Sequence, residues 1–278
     1  MLIEKIKNGA KSSYAKVAIG VGSEQSDYQQ KIIESVGKSL EYARIVLVGN
    51  EKCFEKCTSK EVEIVHSSYP EKEMVELLLN GEIDACVRGT LKATKMLFEI
   101  KEQMKPKKIG RVALLRAHDG HEFLFAPVGI DEGYDVSDKN FLLKEGVKLA
   151  NKLGIEPKIA VLSGGRAEDR GRSEFVDRTI DDAERVVSMA KRDGIAKNIK
   201  HYHILIEDAI REKADFLLAP DGVSGNLIFR TLTFLGGEYG YGAPFVGLNR
   251  LIVDTSRAQS SEEYTIAIAL ASFLSEGW

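Results

Sequence analysis

The feature that most constrains this chain is its alternation of short β-branched apolar runs with stretches whose apolar residues recur at helical spacing. Apolar runs occupy residues 16–21, 44–48, 62–66 and 84–88, and helical patterns lie between them. Strands that alternate with helices in this way form βαβ units with parallel sheets. The pattern predicts an α/β protein with mostly parallel sheets, whose first doubly wound unit lies at the N-terminal end.

A different pattern begins after a lysine-rich stretch at 101–108. The runs 111–116 and 122–128 are separated by Asp119-Gly120, and Asp-Gly between apolar runs is typical of a β-hairpin. The same periodicities predict further helices over 137–153, up to Ala190, and after Ser224 and Ser260, and further strands over 158–162, 215–219, 245–248 and 251–254. A second unit that contains an antiparallel pair is therefore expected.

The composition argues against several classes of partner. The 278 residues carry a net charge of -3, which disfavours a broad nucleic-acid face. No apolar run reaches the roughly 18 residues of a membrane span, and the N-terminus lacks the apolar core of a signal peptide. We expect a cytoplasmic protein with no nucleic-acid partner and no membrane segment.

The cysteines indicate free thiols. Cys53, Cys57 and Cys86 are an odd and small number, so a disulfide framework is not expected and a reducing compartment is. Cys53 and Cys57 stand four residues apart, which suits either a metal pair or helix packing. Because no second pair lies nearby, the sequence favours packing.

Histidine and glycine patterns elsewhere are weak signals. His118, Asp119 and His121 resemble a metal cluster, yet they fall on the predicted hairpin turn, where polar residues are expected. Gly20 and Gly22 follow the first strand without the third glycine of a dinucleotide fingerprint. We expect neither a metal nor a tightly bound cofactor.

The segment DTSRAQSSEEY at 254–264 is the most informative part of the chain. Ser256 and Arg257 lie in a polar loop between a strand and a helix. An arginine beside hydroxyls at a helix N-terminus suits phosphate, because the guanidinium donates two parallel hydrogen bonds and backbone N–H groups point outward. The alternative is a capping box of Ser260 and Glu263, which leaves Ser256 and Arg257 unexplained.

Three other segments combine glycine with polar or basic residues. APDGVSGNLIFR at 219–230 either admits a phosphate close to its backbone or forms an ordinary capped turn. DACVRGTLKAT at 84–94 places basic groups at a helix start, which suits an anion or solvent equally. The loop 163–172 holds three arginines and three glycines, and two acids dilute its charge. Each segment is a candidate anion site.

These segments, in this order, resemble the phosphate acetyltransferase and butyryltransferase superfamily over nearly the whole chain. DTSRAQSSEEY is similar to that family's Ser-Arg motif with its downstream acid, and APDGVSGNLIFR to its Pro-Asp and Gly-Asn segment. DACVRGTLKAT is similar to its glycine turn, and GIEPKIAVLSGG to its central strand. Within the superfamily the chain resembles most the methanogenesis marker protein 4 group, whose members have been labelled methyltransferase subunits.

The resemblance implies a fold and an assembly. The fold is the isocitrate/isopropylmalate dehydrogenase-like two-domain α/β fold, with mostly parallel sheets and an interdomain cleft. Residues 1–107 and 245–278 would form the first domain, and residues 108–244 the second. A homodimer is also implied.

The resemblance further implies acyl transfer between coenzyme A and phosphate, with an acyl-CoA thioester or a small phosphorylated metabolite as partner. Arg257 would clamp phosphate and neutralise charge on the thioester oxygen, Ser256 would add a hydrogen bond, and Glu263 would act as base toward the thiol. Contacts with phosphate or coenzyme A are implied for seven further residues: Arg88, Thr94, Arg166, Gly225, Asn226, Ser260 and Ser261.

Two departures from the family pattern keep other functions open. The acid is aspartate in the acetyl-transferring members and Glu263 here, and the extra methylene moves the carboxylate by about 1.5 Å. Arg88 stands where acetyl-specific members have a small hydroxyl residue. A methyltransferase-associated component of methanogen metabolism and a non-catalytic metabolite-binding protein are the alternatives to an acyltransferase.

Overall fold

The computed structural model describes residues 1–22, 26–54 and 61–278. The chain folds into two units, the first comprising residues 1–109 and 241–278 and the second residues 110–240. Cys57 lies outside the described residues, so the packing role predicted for it stays a prediction.

The helices and strands alternate along most of the chain. The first group is α1 (Leu2–Ser13), β1 (Lys16–Val21), α2 (Ser26–Ser39), β2 (Arg44–Gly49), β3 (Glu63–His66), α3 (Pro70–Leu79), β4 (Ala85–Val87), α4 (Ala93–Met104) and β5 (Gly110–Arg111). The second group is β6 (Ala113–Arg116), β7 (Glu122–Ala126), α5 (Val136–Lys152), β8 (Ile159–Leu162), α6 (Glu174–Arg192), β9 (Ile199–His203), α7 (Ile206–Arg211), β10 (Phe216–Leu218) and α8 (Gly222–Phe234). The last group is β11 (Tyr239–Gly240), β12 (Ala243–Val246), β13 (Leu251–Asp254) and α9 (Ser261–Ser275).

The sheet of the first unit contains the strands β3-β2-β1-β4-β13-β12 in this order. Its strands are parallel except for β12, which runs antiparallel to β13. Helices α3 and α4 bury Met74, Leu78, Met96 and Ile100 in a core with strand residues. Helix α9 is apolar nearly all round, and it is buried along its length where it packs against α1 and α2.

The sheet of the second unit has the strand order β11-β6-β7-β10-β8-β9. Strands β6 and β7 pair antiparallel, with Ala113 opposite Phe125, so the predicted hairpin is confirmed. Strands β7, β10, β8 and β9 run parallel. The predicted α/β class with mostly parallel sheets is therefore confirmed in both units.

Some elements differ from the sequence-based prediction for identifiable reasons. Helix α1 was not predicted, although Ile3, Ile6 and Ala10 recur at helical spacing and are buried. Helix α8 begins at Gly222, not after Ser224, because the Asp221 side chain accepts the Ser224 N–H and caps the helix earlier. Within the described ranges, the helices are too short or too polar to cross a membrane.

Candidate functional site

The carboxyl ends of the parallel strands in the first unit meet at one edge of its sheet. Strand β1 pairs in parallel with both β2 and β4, and β4 pairs in parallel with β13. The chain moves outward from β1 through β2 to β3, and then places β4 on the other side of β1. This reversal is a topological switch point, where open α/β sheets bind ligands beyond their strand ends. The end of β1 and the loops after β4 and β13 therefore form the candidate site.

Arg88, at the end of β4, joins two of these loops, and only 5% of the residue is exposed. Its Nε forms an ion pair with Asp254, and its Nη2 donates to the carbonyl oxygen of Thr255. Its Nη1 donates to the carbonyl oxygen of Leu91 at 2.5 Å. Leu91 follows β4, whereas Asp254 ends β13 and Thr255 follows it, so one side chain fixes both loops. Arg88, which the sequence predicts to contact phosphate, here positions the backbone just before Ser256.

Gly89 and Thr90 join the carboxyl end of β1 to the same arrangement. Gly89 has a φ of +62°, and a Cβ at this position would lie 2.1 Å from the carbonyl oxygen of Gly20, so only glycine fits. The Thr90 hydroxyl accepts the Gly22 N–H at 2.8 Å, and the Thr255 hydroxyl donates to the Gly89 carbonyl at 3.0 Å. The end of β1 at Gly22 and the loops after β4 and β13 are therefore held in one geometry.

The loop between β13 and α9 is fixed by buried polar side chains. Gln259 is 1% exposed, and its Oε1 accepts the Ser256 N–H at 2.9 Å. The hydroxyl of Tyr264, a buried residue, donates to the Ser256 carbonyl at 2.8 Å. Burial raises the pKa of this hydroxyl far above its usual value, so it stays protonated and keeps donating. Ser256 is half-buried and Arg257 is exposed, so the guanidinium is presented from an anchored backbone.

The start of α9 forms the capping box that the sequence offered as an alternative. Glu263 Oε2 accepts the Ser260 N–H at 2.7 Å and the Ser260 hydroxyl at 2.9 Å, while Ser260 Oγ accepts the Glu263 N–H at 3.3 Å. Glu263 is 8% exposed. The Ser261 hydroxyl accepts a hydrogen bond from Lys38 at 3.1 Å. The predicted base is therefore also part of the helix cap.

Thr94 and the three remaining candidates lie in other parts of the chain. Thr94 lies in the first turn of α4 and is exposed. A Cβ at Gly225 would lie 2.0 Å from the Pro127 carbonyl oxygen, so this glycine allows α8 to approach that backbone. Asn226 Nδ2 donates to the Val128 carbonyl at 2.7 Å. Both contacts of α8 lie within the second unit, and they pack one element of that unit against another.

Arg166 lies in the second unit, in a loop whose charges are largely balanced. It is exposed, and it stands 3.9 Å from Glu168. Arg170 pairs with Asp181 and Glu184, and Arg172 pairs with Asp169. Two of the three arginines in this loop therefore have acidic partners within hydrogen-bond distance.

The described residues include histidines and cysteines that lie away from the sheet edge of the candidate site or are buried. Among them, the His, Cys, Asp and Glu side chains form no cluster of three or more that could hold a metal ion. Cys53 and Cys86 are buried free thiols, and burial raises the pKa of both. His201 Nε2 lies 2.9 Å from the Ser163 hydroxyl, which itself donates to the Gly165 carbonyl.

The sequence-based prediction missed the residues that organise the loops. Asp254 and Thr255 immediately precede the Ser-Arg pair, and Thr90 follows the glycine of the β4 turn. Their position at the ends of predicted parallel strands was the available signal, because such ends meet at one sheet edge. Gln259 carried no signal of its own.

Known proteins resemble this chain over nearly its whole length. The phosphate acetyl/butaryl transferase family model matches residues 58–272. A protein of Methanosarcina barkeri, provisionally named methyltransferase mtx subunit X, is 47% identical over 96% of this chain and 95% of its own length. The phosphate butyryltransferase of Clostridium beijerinckii is 23% identical over 93% of this chain and 92% of its own.

A solved structure shows the same fold. The branched-chain phosphotransacylase from Enterococcus faecalis V583 matches with a TM-score of 0.70 and 20% identity, covering 93% of this chain and 99% of that one. Dehydrogenases of the isocitrate dehydrogenase-like type also match, which confirms the predicted fold type. The extent of the family match and the identity to the M. barkeri protein establish that this chain belongs to the phosphate acetyl/butaryl transferase family.

Proposed function

We propose that the loop 254–260 and the start of α9 bind the phosphate group of a small ligand, and that the protein transfers an acyl group between phosphate and coenzyme A. The observation that carries this proposal is the network around buried Arg88. Because Arg88 fixes the backbone before Ser256, the exposed Arg257 is presented from a rigid loop next to the first N–H groups of a 15-residue helix. A rigid, positively charged loop of this kind favours an anionic ligand.

The reaction assigns each group a role. The sulfur of coenzyme A attacks the carbonyl carbon of an acyl phosphate, a C–S bond forms, and the C–O bond to phosphate breaks. Phosphate leaves with the bonding electron pair, and the thiol proton passes to a base. Arg257 neutralises charge on the phosphate and on the carbonyl oxygen, and Ser256 donates a further hydrogen bond to this acyl phosphate.

Loss of Arg257 tests the proposal. We expect Arg257→Ala to lower the rate of phosphate-dependent coenzyme A release from butyryl-CoA by about 100- to 1,000-fold, as for loss of a transition-state donor. Arg211→Ala is the matched control, because Arg211 is an exposed arginine in the second unit that pairs with its helical neighbour Asp208. No phosphate-dependent release from acetyl-, propionyl- or butyryl-CoA, or equal rates in wild type and Arg257→Ala, would contradict acyl transfer.

Replacing Glu263 by glutamine distinguishes a catalytic role of this residue from a role in binding. Glutamine also fits the closing position of a capping box, so Glu263→Gln keeps the helix cap and removes the base. If Glu263 is the base, this variant loses at least about 100-fold in turnover and keeps its affinity for phosphate. Unchanged turnover excludes Glu263 as the base.

Each of the two alternatives to acyl transfer has one observation in its favour. The capping role of Glu263 favours a binding protein that retains phosphate affinity without turnover. The name of the M. barkeri relative favours a component of methyl transfer. Calorimetric titration with a methylated pterin and with coenzyme A distinguishes the methyl-transfer alternative, because only that alternative predicts binding of the pterin.

A further inference from the structure

Two histidines lie side by side at the end of β9, the last strand in the sheet order of the second unit. The ring centroids of His201 and His203 are 4.0 Å apart. Side chains at positions i and i+2 of a regular strand start about 7 Å apart, so an irregularity brings these two rings together. The pairing of β8 with β9 shifts register between Val161 and Leu162, which lie opposite His201 and His203. His203 also has a φ of +56°, which a residue with a side chain rarely adopts.

The hydrogen bond to Ser163 fixes which nitrogen of His201 carries a proton. His201 Nε2 lies 2.9 Å from the Ser163 hydroxyl, and this hydroxyl donates to the Gly165 carbonyl at 2.9 Å. Because the hydroxyl has one proton, it accepts a hydrogen bond from His201 Nε2–H. The neutral ring therefore has its lone pair on Nδ1, and this atom has no hydrogen-bond partner among the residues that the structure describes.

The second ring also has a nitrogen without a partner. His203 Nδ1 is buried, and within the described ranges it makes no hydrogen bond. A buried polar atom without a partner loses its hydration without compensation, so it calls for a bound water or ion. Two adjacent imidazoles thus each have an Nδ1 atom that no described protein group satisfies.

The charged groups that act on His201 are compatible with a bound cation. Glu184 and Arg170 both influence its pKa, and they pair with each other at 3.0 Å. Arg170 also pairs with Asp181 at 2.6 Å, so this group carries two negative charges and one positive charge. Burial lowers the pKa of His201 to about 4, which keeps the ring neutral at neutral pH. Neutral imidazole is the form that binds metal ions.

We propose that His201 and His203 bind a divalent transition-metal ion such as Zn²⁺ or Ni²⁺ through their Nδ1 atoms. Imidazole nitrogen is a preferred ligand of these ions. Ser163 holds His201 through Nε2, as in metal-binding histidines, whose second nitrogen donates to an oxygen and orients the ring. Among the described residues no third His, Cys, Asp or Glu completes the site, so water or a donor from solution fills the remaining positions.

This inference differs from the sequence-based expectation of no metal, because the sequence does not show the irregularity of β9. It does not depend on acyl transfer, since His201, His203 and Ser163 take no part in the proposed reaction. Metal binding and phosphate-dependent turnover can therefore succeed or fail separately.

Isothermal titration of Zn²⁺ into the chain without a histidine tag tests the inference. Loss of a group that orients a ligand costs about 10- to 100-fold in metal affinity, and Ser163→Ala should weaken Zn²⁺ binding within this range. We expect His201→Gln and His203→Gln each to weaken it by at least about tenfold, because each variant loses one of the two protein ligands themselves. A thermal melt like that of the wild type checks that each variant folds.

His118→Gln is the matched control. The His118 side chain is 80% exposed, and it lies on the hairpin turn that also holds His121. This variant should bind Zn²⁺ as the wild type does. Absence of Zn²⁺ binding by the wild type, loss of binding in His118→Gln, or unchanged affinity in either His201→Gln or His203→Gln would overturn the inference.

A measurement on the wild type alone does not depend on how the variants fold. The chain has five histidines, and their imidazole rings give separate signals in nuclear magnetic resonance spectra. Zn²⁺ should shift the signals of His201 and His203 and leave those of His66, His118 and His121 in place. Shifts at the other three histidines, or no shift at His201 and His203, would overturn the inference.

Discussion

Replacement of Arg88 is the most informative perturbation of stability in this chain. The Arg88 side chain is 6% exposed, and the Asp254 carboxylate that pairs with it is 13% exposed. Arg88→Ala leaves that carboxylate buried without its cation, and it removes the donors to the carbonyl oxygens of Leu91 and Thr255. Loss of one partner of a buried ion pair costs about 3–5 kcal/mol, because the remaining charge stays desolvated.

This loss is large compared with the free energy of unfolding of an ordinary domain, about 5–15 kcal/mol. For a domain of about 150–250 residues, each 1 kcal/mol lowers the midpoint of thermal unfolding by about 2–4 °C, so Arg88→Ala should lower it by roughly 6–20 °C. Urea unfolding followed by circular dichroism measures the same difference as a free energy.

A matched control and a double variant test whether the unpaired buried carboxylate causes the loss of stability. Arg44 is an exposed arginine whose partner Asp84 lies 3.9 Å away, and Arg44→Ala should change the free energy of unfolding by at most about 1 kcal/mol. Replacing both Arg88 and Asp254 by apolar residues of similar size should restore much of the stability lost in Arg88→Ala, since no charge is then left unpaired. An Arg88→Ala protein as stable as Arg44→Ala would show that the ion pair of Arg88 and Asp254 does not stabilise the fold.

Two further predictions concern the second unit. Burial, with a smaller contribution from His203, lowers the pKa of His201 to about 4. Unfolding therefore takes up a proton between that pH and about 6.5, and stability falls as the pH drops through this range, by at most about 1 kcal/mol because His201 is only partly buried. The variant His201→Gln should flatten the pH dependence of the urea midpoint, and an unchanged slope would contradict this prediction. Helix α8 exposes Val223 (46%) and Leu227 (61%), one helical turn apart, and we propose that they form part of the interface of the predicted homodimer. Leu227→Glu should shift the mass measured by light scattering from dimer to monomer, and a wild type that is monomeric at micromolar concentration would contradict the proposal.

The elements that the sequence predicted best are those with strong local signals. Strands β1 and β13 have the predicted bounds, because each is a short apolar run ended by a polar residue or glycine. The hairpin of β6 and β7 followed from Asp119-Gly120. The capping box at α9 followed from Ser260 and Glu263, which stand three residues apart.

The features that the sequence left unpredicted depend on residues far apart in the chain. Arg88 and Asp254 are separated by 166 positions, so the sequence around Arg88 gave no indication that this side chain pairs with a carboxylate of the same chain. The sequence around Gly225 and Asn226 suggested a phosphate contact. In the structure both residues lie against the backbone of the second unit, Gly225 at Pro127 and Asn226 at Val128. Local patterns locate strands and caps, but they do not reveal which buried charges meet.

Isothermal titration of inorganic phosphate into wild type, Arg257→Ala and Arg211→Ala measures whether the loop 254–260 binds phosphate through Arg257. We expect wild type and Arg211→Ala to bind phosphate with the same affinity, and Arg257→Ala to bind it at least about tenfold more weakly, the effect of losing one charge-assisted contact. Equal affinities in all three proteins, or no binding of phosphate by the wild type, would exclude a phosphate site at Arg257.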